Sequence, residues 1–77
     1  MKTDTEKALG DAIRARRRAR KMTLADLGRA AGIDVSQLSK IERGRSRTSV
    51  DAYDRIAAAL EWTPAAMWRS ATTRHAA

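Results

Sequence analysis

The sequence contains no cysteine, no phenylalanine and a single histidine, and these absences exclude several kinds of protein. Without cysteine the chain can form neither a disulfide framework nor a thiolate metal site. The one histidine, His75, stands near the C-terminus, and no acidic pair lies beside a plausible base or metal partner. We therefore expect no enzyme activity, no cofactor and no metal site.

Long apolar runs are missing as well. No segment approaches the roughly 20 apolar residues that a membrane-spanning helix needs, and residues 1–6 lack the apolar stretch of a signal peptide. Binding to a membrane surface through a basic first helix is also disfavoured, because Leu9 and Ile13 are needed for the core. We expect a soluble protein of the cytoplasm.

Positive charge is what the chain does contain. Sixteen Lys and Arg residues against nine Asp and Glu give a formal net charge of +7, so polyanions, and nucleic acid first, are the expected partners. A hydrophobic content of 43% is ordinary for a folded domain, and 77 residues allow one modest core. We expect this domain to span residues 6–69 and to be followed by a flexible tail over residues 70–77.

Five segments have the periodicity of short helices. The first is predicted from Glu6 to Lys21, with Leu9, Ile13 and Arg17 at four-residue steps on one face. The N-caps predicted for the next four helices are, in chain order, Thr23, Asp34, Ser49 and Thr63. Only Gly32-Ile33-Asp34 separates the second helix from the third, so these two helices cross at a large angle. The sequence therefore predicts an all-α fold with a helix-turn-helix at helices 2 and 3.

The segment from Thr23 to Gly44 combines small residues where helices 2 and 3 approach each other with apolar residues where they pack, and the pattern continues in register into Thr63–Trp68. With this pattern the chain resembles the Xre/Cro-like helix-turn-helix family, which includes phage repressors, restriction-modification controller proteins and many antitoxins. The resemblance covers about Leu9 to Trp68. It implies a compact five-helix, lambda-repressor-like DNA-binding domain and a transcriptional regulator, most often a repressor or autoregulator.

The third helix carries the residues expected to read DNA bases, because a recognition helix enters the major groove with its N-terminal residues toward the base edges. The resemblance implies the same positions. They are Val35, Ser36, Gln37 and Lys40. Gln can bond adenine bidentately, Lys can reach guanine, and the Val methyls can pack on a thymine methyl. The alternatives are a solvated helix face for Ser36 and Gln37 and a phosphate contact for Lys40.

Phosphate contacts are implied by the resemblance at helix ends and in the loop after the third helix. The residues at these places are Thr23, Arg43, Arg45 and Arg47. Such contacts fix register and produce salt dependence without reading sequence. The alternative for at least one of these arginines is a solubilising charge. The chain departs from the family pattern at Leu24, where Gln frequently contacts phosphate, and at Thr48, where Pro is common.

Arg17 occupies the next step of the apolar stripe formed by Leu9 and Ile13, so its side chain is expected to point toward the core. A buried guanidinium needs a partner. Glu42, beside Ile41 on the third helix, is the natural candidate, and the resemblance implies a similar Arg-Glu pair between the first and third helices. We expect Arg17 and Glu42 to orient the recognition helix. The alternative places Arg17 in the surface cluster of arginines.

Both tryptophans and a methionine lie close together near the C-terminal end. They are Trp62, Met67 and Trp68. One interpretation is that they close a small core. The other is a dimer interface, because the family tends to dimerise through its last helix and the loop before it. A two-fold homodimer would bind an inverted-repeat operator with its recognition helices about 34 Å apart.

A different kind of function competes with operator binding. An antitoxin, or another protein-interaction module, would neutralise a partner protein and also regulate their shared operon. Composition does not exclude this alternative. A toxin-like reading frame beside the gene would favour it, whereas an adjacent methyltransferase and endonuclease would favour a controller protein, and a phage immunity region would favour a repressor.

Overall fold

The computed structural model describes residues 2–74, which form five α-helices and no β-strand. The helices are α1 (Lys2–Ala19), α2 (Leu24–Ala31), α3 (Val35–Glu42), α4 (Val50–Ala59) and α5 (Pro64–Arg74). The predicted all-α, five-helix fold is confirmed. None of the described helices is both long enough and apolar enough to cross a membrane.

Side-chain caps begin four of the helices, at the residues that the sequence predicts. Each cap oxygen accepts a hydrogen bond from a backbone N–H in the first turn, which satisfies a donor that has no partner inside the helix. The bonds run from Asp26 N to Thr23 Oγ1 (3.0 Å), from Ser36 N to Asp34 Oδ2 (3.1 Å), from Ala52 N to Ser49 Oγ (3.1 Å) and from Ala66 N to Thr63 Oγ1 (3.0 Å). The cap of α2 is a full capping box, because Asp26 Oδ2 accepts from Thr23 N at 2.9 Å. All four predicted N-caps are confirmed.

The turn between α2 and α3 depends on Gly32. Its φ of 69° and ψ of 37° lie in the left-handed region, and its N–H donates to Gly28 O. Glycine adopts this conformation without the steric cost that a Cβ brings. The chain therefore leaves α2 abruptly and enters α3 after two further residues.

The core is apolar and takes side chains from every helix. α1 packs against α5 and α3, and α2 packs against α3 and α4. The largest fully buried side chains are Leu9, Ile13, Leu27, Leu38, Ile56, Leu60 and Met67. This arrangement leaves one face of α3 against the core and the opposite face in solvent.

The predicted bounds of two helices are wrong: both ends of the first helix and the end of the last. α1 starts at Lys2 and ends at Ala19, and Lys21, predicted as its last residue, has a positive φ of 58° outside the helix. α5 continues past the predicted end at Arg69 to Arg74. Ala71, one turn after Met67, is 3% exposed and extends the buried face of α5, so residues 70–74 are helical instead of belonging to a tail. Residues 75–77, including His75, lie outside the described residues.

Candidate nucleic-acid interface

The third helix has two faces of different character. Leu38, Ile41 and Glu42 are buried, whereas the four residues predicted to read bases are exposed. Those four are Val35, Ser36, Gln37 and Lys40, and Val35 is the largest exposed apolar side chain of this helix, at 42%. Packing of the buried face against the core makes the outward face a fixed surface.

The C-terminal end of α3 lies against the backbone of α1 with no space between them. A Cβ added at Gly10 would lie 2.5 Å from the carbonyl oxygens of Ile41 and Glu42. A Cβ at Gly44 would lie 2.7 Å from the Cα of Lys7. Both distances are shorter than carbon and oxygen atoms tolerate without contact strain, so glycine is required at both positions for this approach.

Arg17 and Glu42 form a buried, bidentate ion pair between α1 and α3. Arg17 Nε lies 2.7 Å from Glu42 Oε2, and Arg17 Nη2 lies 3.1 Å from Glu42 Oε1. Arg17 Nη1 donates to Met22 O at 2.8 Å, in the segment between α1 and α2. The two residues are 8% and 5% exposed. The guanidinium thus connects three parts of the chain that surround the helix-turn-helix.

The C-terminal end of α2 is held by an arginine of α4. Arg55 Nη1 donates to Gly32 O at 3.1 Å and to Ala31 O at 3.3 Å, and Arg55 Nε lies 3.2 Å from Asp51. The last carbonyls of a helix lack partners inside it, and a cation is favourable there. Arg55 therefore stabilises the turn between α2 and α3.

The N-terminus of α3 is capped on its exposed side. The Asp34 carboxylate accepts hydrogen bonds from both the backbone N–H and the hydroxyl of Ser36. The Ser36 hydroxyl bond, followed by the backbone bonds, holds the pKa of Asp34 below its ordinary value. Because Ser36 donates its hydroxyl hydrogen to the cap, its oxygen is left to act as an acceptor.

Gln37 makes a side-chain contact with the loop that follows its own helix. Its Nε2 donates to Ser46 Oγ at 2.6 Å, in the loop that follows α3. Gln37 also lines a cleft of about 400 Å³ together with Arg47 and Arg55. Lys40 remains exposed one turn later. The structure therefore brings a predicted base contact, Gln37, next to a predicted phosphate contact, Arg47.

The four residues predicted to contact phosphates are all exposed, at the start of α2 and in the loop after α3. They are Thr23, Arg43, Arg45 and Arg47. Bonding to Thr23, chiefly to its backbone N–H and then to its hydroxyl, lowers the pKa of Asp26. Arg43 Nε also donates to Ser39 O at 3.4 Å. Residues 35–48 carry one acidic residue, Glu42, and it is paired with Arg17, so the exposed charge of this segment is positive.

The three residues proposed for a dimer interface divide into different environments. Met67 is fully buried, so it belongs to the core of the monomer, and its assignment to an interface is wrong. Trp62 is partly buried, and the Arg16 guanidinium lies 5.3 Å from its ring centroid. Trp68 is 47% exposed. Of the three, Trp68 presents a large apolar surface to solvent.

Sequence reasoning missed several residues that support this site. Ser46 and Arg55 gave no periodic signal, because one lies in a loop and the other on the polar face of α4. Arg16 lies in the arginine-rich second half of α1, where the sequence gives no sign of a partner, and it donates to Leu60 O and Glu61 O at 3.1 and 3.2 Å. Asp26 had a readable signal, because Thr23-Leu24-Ala25-Asp26 has the spacing of a capping box.

The departures at Leu24 and Thr48 have structural roles of their own. Leu24 is partly buried and packs against the core. Thr48 Oγ1 donates to Ser46 O at 3.3 Å, which ties the middle of the loop to its end. Among the side chains that the structure describes, those of residues 5–73, no group of three or more acidic or histidine residues could hold a metal ion.

Comparison with known proteins yields helix-turn-helix relatives. Residues 8–68 match the family described as Helix-turn-helix domain. An uncharacterised HTH-type transcriptional regulator, y4aM, of Sinorhizobium fredii (strain NBRC 101917 / NGR234) is 39% identical over 56 residues. The match covers 73% of this chain and 39% of that protein, so the chain spans about two fifths of the length of this relative.

Two solved structures share the fold. The clp gene regulator ClgR from Corynebacterium glutamicum has a TM-score of 0.88 and 30% identity, over 91% of this chain and 74% of that chain. The restriction-modification controller protein C.AhdI from Aeromonas hydrophila has a TM-score of 0.78 and 26% identity, over 80% of this chain and 94% of that chain. Both are named as regulators or controllers.

Proposed function

This chain belongs to the helix-turn-helix domain family, and from that membership we propose that it is a sequence-specific transcriptional regulator that binds double-stranded DNA. In this proposal it acts in the cytoplasm as a homodimer on an inverted-repeat operator, as a repressor or autoregulator. The observation that carries the proposal is the exposed face of α3. The opposite face of this helix is buried, and the Arg17–Glu42 ion pair holds the helix against α1. A rigid helix with polar side chains outward suits the major groove.

The exposed face of α3 would read bases through four side chains. Gln37 would bond an adenine, Lys40 would donate to a guanine or to a phosphate, and the Val35 methyls would contact a thymine methyl. The Ser36 oxygen, whose hydrogen is given to Asp34, would accept from a base amino group. All four side chains are exposed, which supports this assignment.

Phosphate contacts would flank the groove-reading face. Thr23 at the start of α2 and Arg43, Arg45 and Arg47 around the loop after α3 are the residues proposed for them. Their exposure and the positive charge of this region support the assignment. Each arginine that meets a phosphate would steepen the decrease of affinity with salt by roughly one unit of log-log slope.

Dimerisation would align two recognition helices with successive turns of the major groove, about 34 Å apart. Trp68 on α5 is half-exposed, which supports a dimer interface at this end of the protein. Because an isologous interface repeats the same contacts on both protomers, replacing Trp68 would remove two contacts at once. A monomer would cover one half-site and bind weakly.

Selection from a random DNA pool tests this proposal. Wild type is compared at fixed salt with Gln37→Ala/Lys40→Ala and with Arg18→Ala, a matched control that removes one exposed positive charge from α1. We expect wild type and Arg18→Ala to select the same inverted repeat and the double variant to lose it. Equal binding of all duplexes by wild type would contradict the proposal, and the search would then turn to protein partners from the host.

A further inference from the structure

The contact between Gln37 and Ser46 carries an inference about specificity that rests on the proposed function. We propose that Ser46 is a positioning residue: it fixes the orientation of the Gln37 amide so that Gln37 reads adenine. Ser46 itself would touch no base. It lies in the loop after α3 and is half-buried, whereas Gln37 is exposed on α3.

The bonding of the serine hydroxyl favours one direction for the hydrogen bond with Gln37. Ser46 Oγ donates its hydrogen to Arg47 O at 3.3 Å. The same oxygen therefore faces Gln37 with a lone pair and accepts from Nε2 at 2.6 Å. Only the nitrogen of an amide can donate, so the reversed orientation, with Oε1 toward Ser46, would require the Ser46 hydroxyl to turn its hydrogen away from Arg47 O.

Ser46 is itself held in place by the loop. Arg45 N donates to Lys40 O at 2.9 Å, which ties the start of the loop to the last turn of α3. Thr48 Oγ1 donates to Ser46 O at 3.3 Å from the other side. The serine hydroxyl thus has a defined position relative to the helix that carries Gln37.

The hydrogen bond to Ser46 leaves free the Gln37 groups that a pair with adenine requires. A bidentate pair with adenine uses Oε1 as acceptor from N6 and one Nε2 hydrogen as donor to N7. The second Nε2 hydrogen is the one that Ser46 can keep. An amide already held in this orientation also loses less side-chain entropy when DNA binds. Guanine presents acceptors at both O6 and N7, so the fixed carbonyl oxygen would oppose O6.

The test uses operator variants that differ only at the base pair whose preference Gln37→Ala abolishes. Affinities for adenine and for the other bases at that position are measured for wild type, Ser46→Ala, Ser46→Thr and the double variant Ser46→Ala/Gln37→Ala. Ser70→Ala, a half-buried serine of α5, is the matched control. All variants are first checked for wild-type thermal stability.

We expect Ser46→Ala to reduce the preference for adenine about fivefold, which corresponds to one hydrogen bond. Ser46→Thr keeps the hydroxyl and should restore the preference, which a general structural role of the loop would not require. In the Gln37→Ala background, Ser46→Ala should change the preference no further. Ser70→Ala should behave as wild type.

The possible failures are distinguishable. If wild type selects an operator with a base preference that depends on Gln37, and Ser46→Ala retains it, the positioning role is wrong and the proposed function stands. The same conclusion follows if Gln37 shows a preference for a base other than adenine, or none. If wild type selects no sequence at all, the proposed function fails and the positioning role fails with it.

Discussion

The two ends of the recognition helix α3 are held in different ways. At the C-terminal end, Ile41 and Glu42 are buried, the Arg17 guanidinium is bonded to Glu42, and the backbone of α1 is in direct contact at Gly10. At the N-terminal end, a cap at Asp34 and the single side-chain bond from Gln37 to Ser46 lie in solvent.

This difference separates two tasks along one short helix. Contacts with the core orient the helix, and their loss affects folding. The exposed residues touch little of the protein, so their replacement should affect folding little. Mutations at the two ends therefore distinguish the two tasks, and the expected loss of stability is larger at the buried end than at the exposed end.

The largest effect is expected at the ion pair. Glu42→Ala should destabilise the fold by about 3–5 kcal/mol, because it leaves a buried guanidinium without its carboxylate. Urea unfolding followed by circular dichroism measures this loss. The control is the double replacement Arg17→Met/Glu42→Leu, which should cost less than Glu42→Ala alone, since it buries no unpaired charge. A double replacement that is less stable than Glu42→Ala would mean that the unpaired guanidinium is not the cause of the loss.

Gly10→Ala should have the next largest effect. The added Cβ would lie 2.5 Å from two carbonyl oxygens of α3, so α1 and α3 must separate. A loss of about 1–3 kcal/mol is expected, as for other overpacked sites. The control is Ala15→Gly, the opposite substitution at a half-buried position of the same helix. It should cost about 0.5–1 kcal/mol through helix propensity alone. Wild-type stability of Gly10→Ala would contradict the close approach.

A smaller and pH-dependent effect is expected at the cap of α3. The pKa of Asp34 is lowered in the folded protein from its ordinary value of 3.8, so the charged carboxylate is favoured by folding. Its contribution is therefore present above about pH 4 and disappears as the pH falls through the lower folded-state pKa. Asp34→Asn keeps an acceptor for the cap but cannot titrate. It should make the midpoint of urea unfolding less dependent on pH between about 4 and 2.

The control for the cap is Asp54→Asn, which removes an exposed carboxylate from α4. The comparison is made at the same series of pH values. If Asp34→Asn lost stability on acidification as steeply as wild type and Asp54→Asn do, the Asp34 cap would not be responsible for the acid-dependent loss of stability. Asp26, whose pKa is lowered by bonds to Thr23, should contribute a second, similar part of the acid sensitivity.

The smallest effect on stability is expected at Gln37. Gln37→Ala removes an exposed side chain and should change the free energy of unfolding by less than about 0.5 kcal/mol. The same variant should lose operator affinity by about 1–3 kcal/mol at one base pair. Urea unfolding and fluorescence anisotropy on one protein preparation measure both. A stability loss above about 1 kcal/mol would mean that the exposed end also holds the fold.

Much of this architecture was readable from local patterns. The N-caps, the glycine turn and the apolar stripes depend on residues three or four positions apart, and each was predicted from those spacings. The position of Arg17 on a buried stripe pointed to a buried partner, and Glu42 is that partner in the structure. The sequence predicts too early an end for α5, because Ala71 is a weak apolar signal and is buried only through packing.

The amino-acid sequence by itself determined the five helices, their caps and the outward face of α3, because capping and helical periodicity act over a few residues. Tertiary structure decided that Met67 joins the core and that Gly10 contacts the end of α3. It also decided that Ser46 bonds Gln37 and that Arg55 bonds the turn between α2 and α3. These contacts join residues that are distant along the chain or lie across a loop. Their geometry depends on how the helices cross, and the spacing of residues along the chain does not determine that crossing.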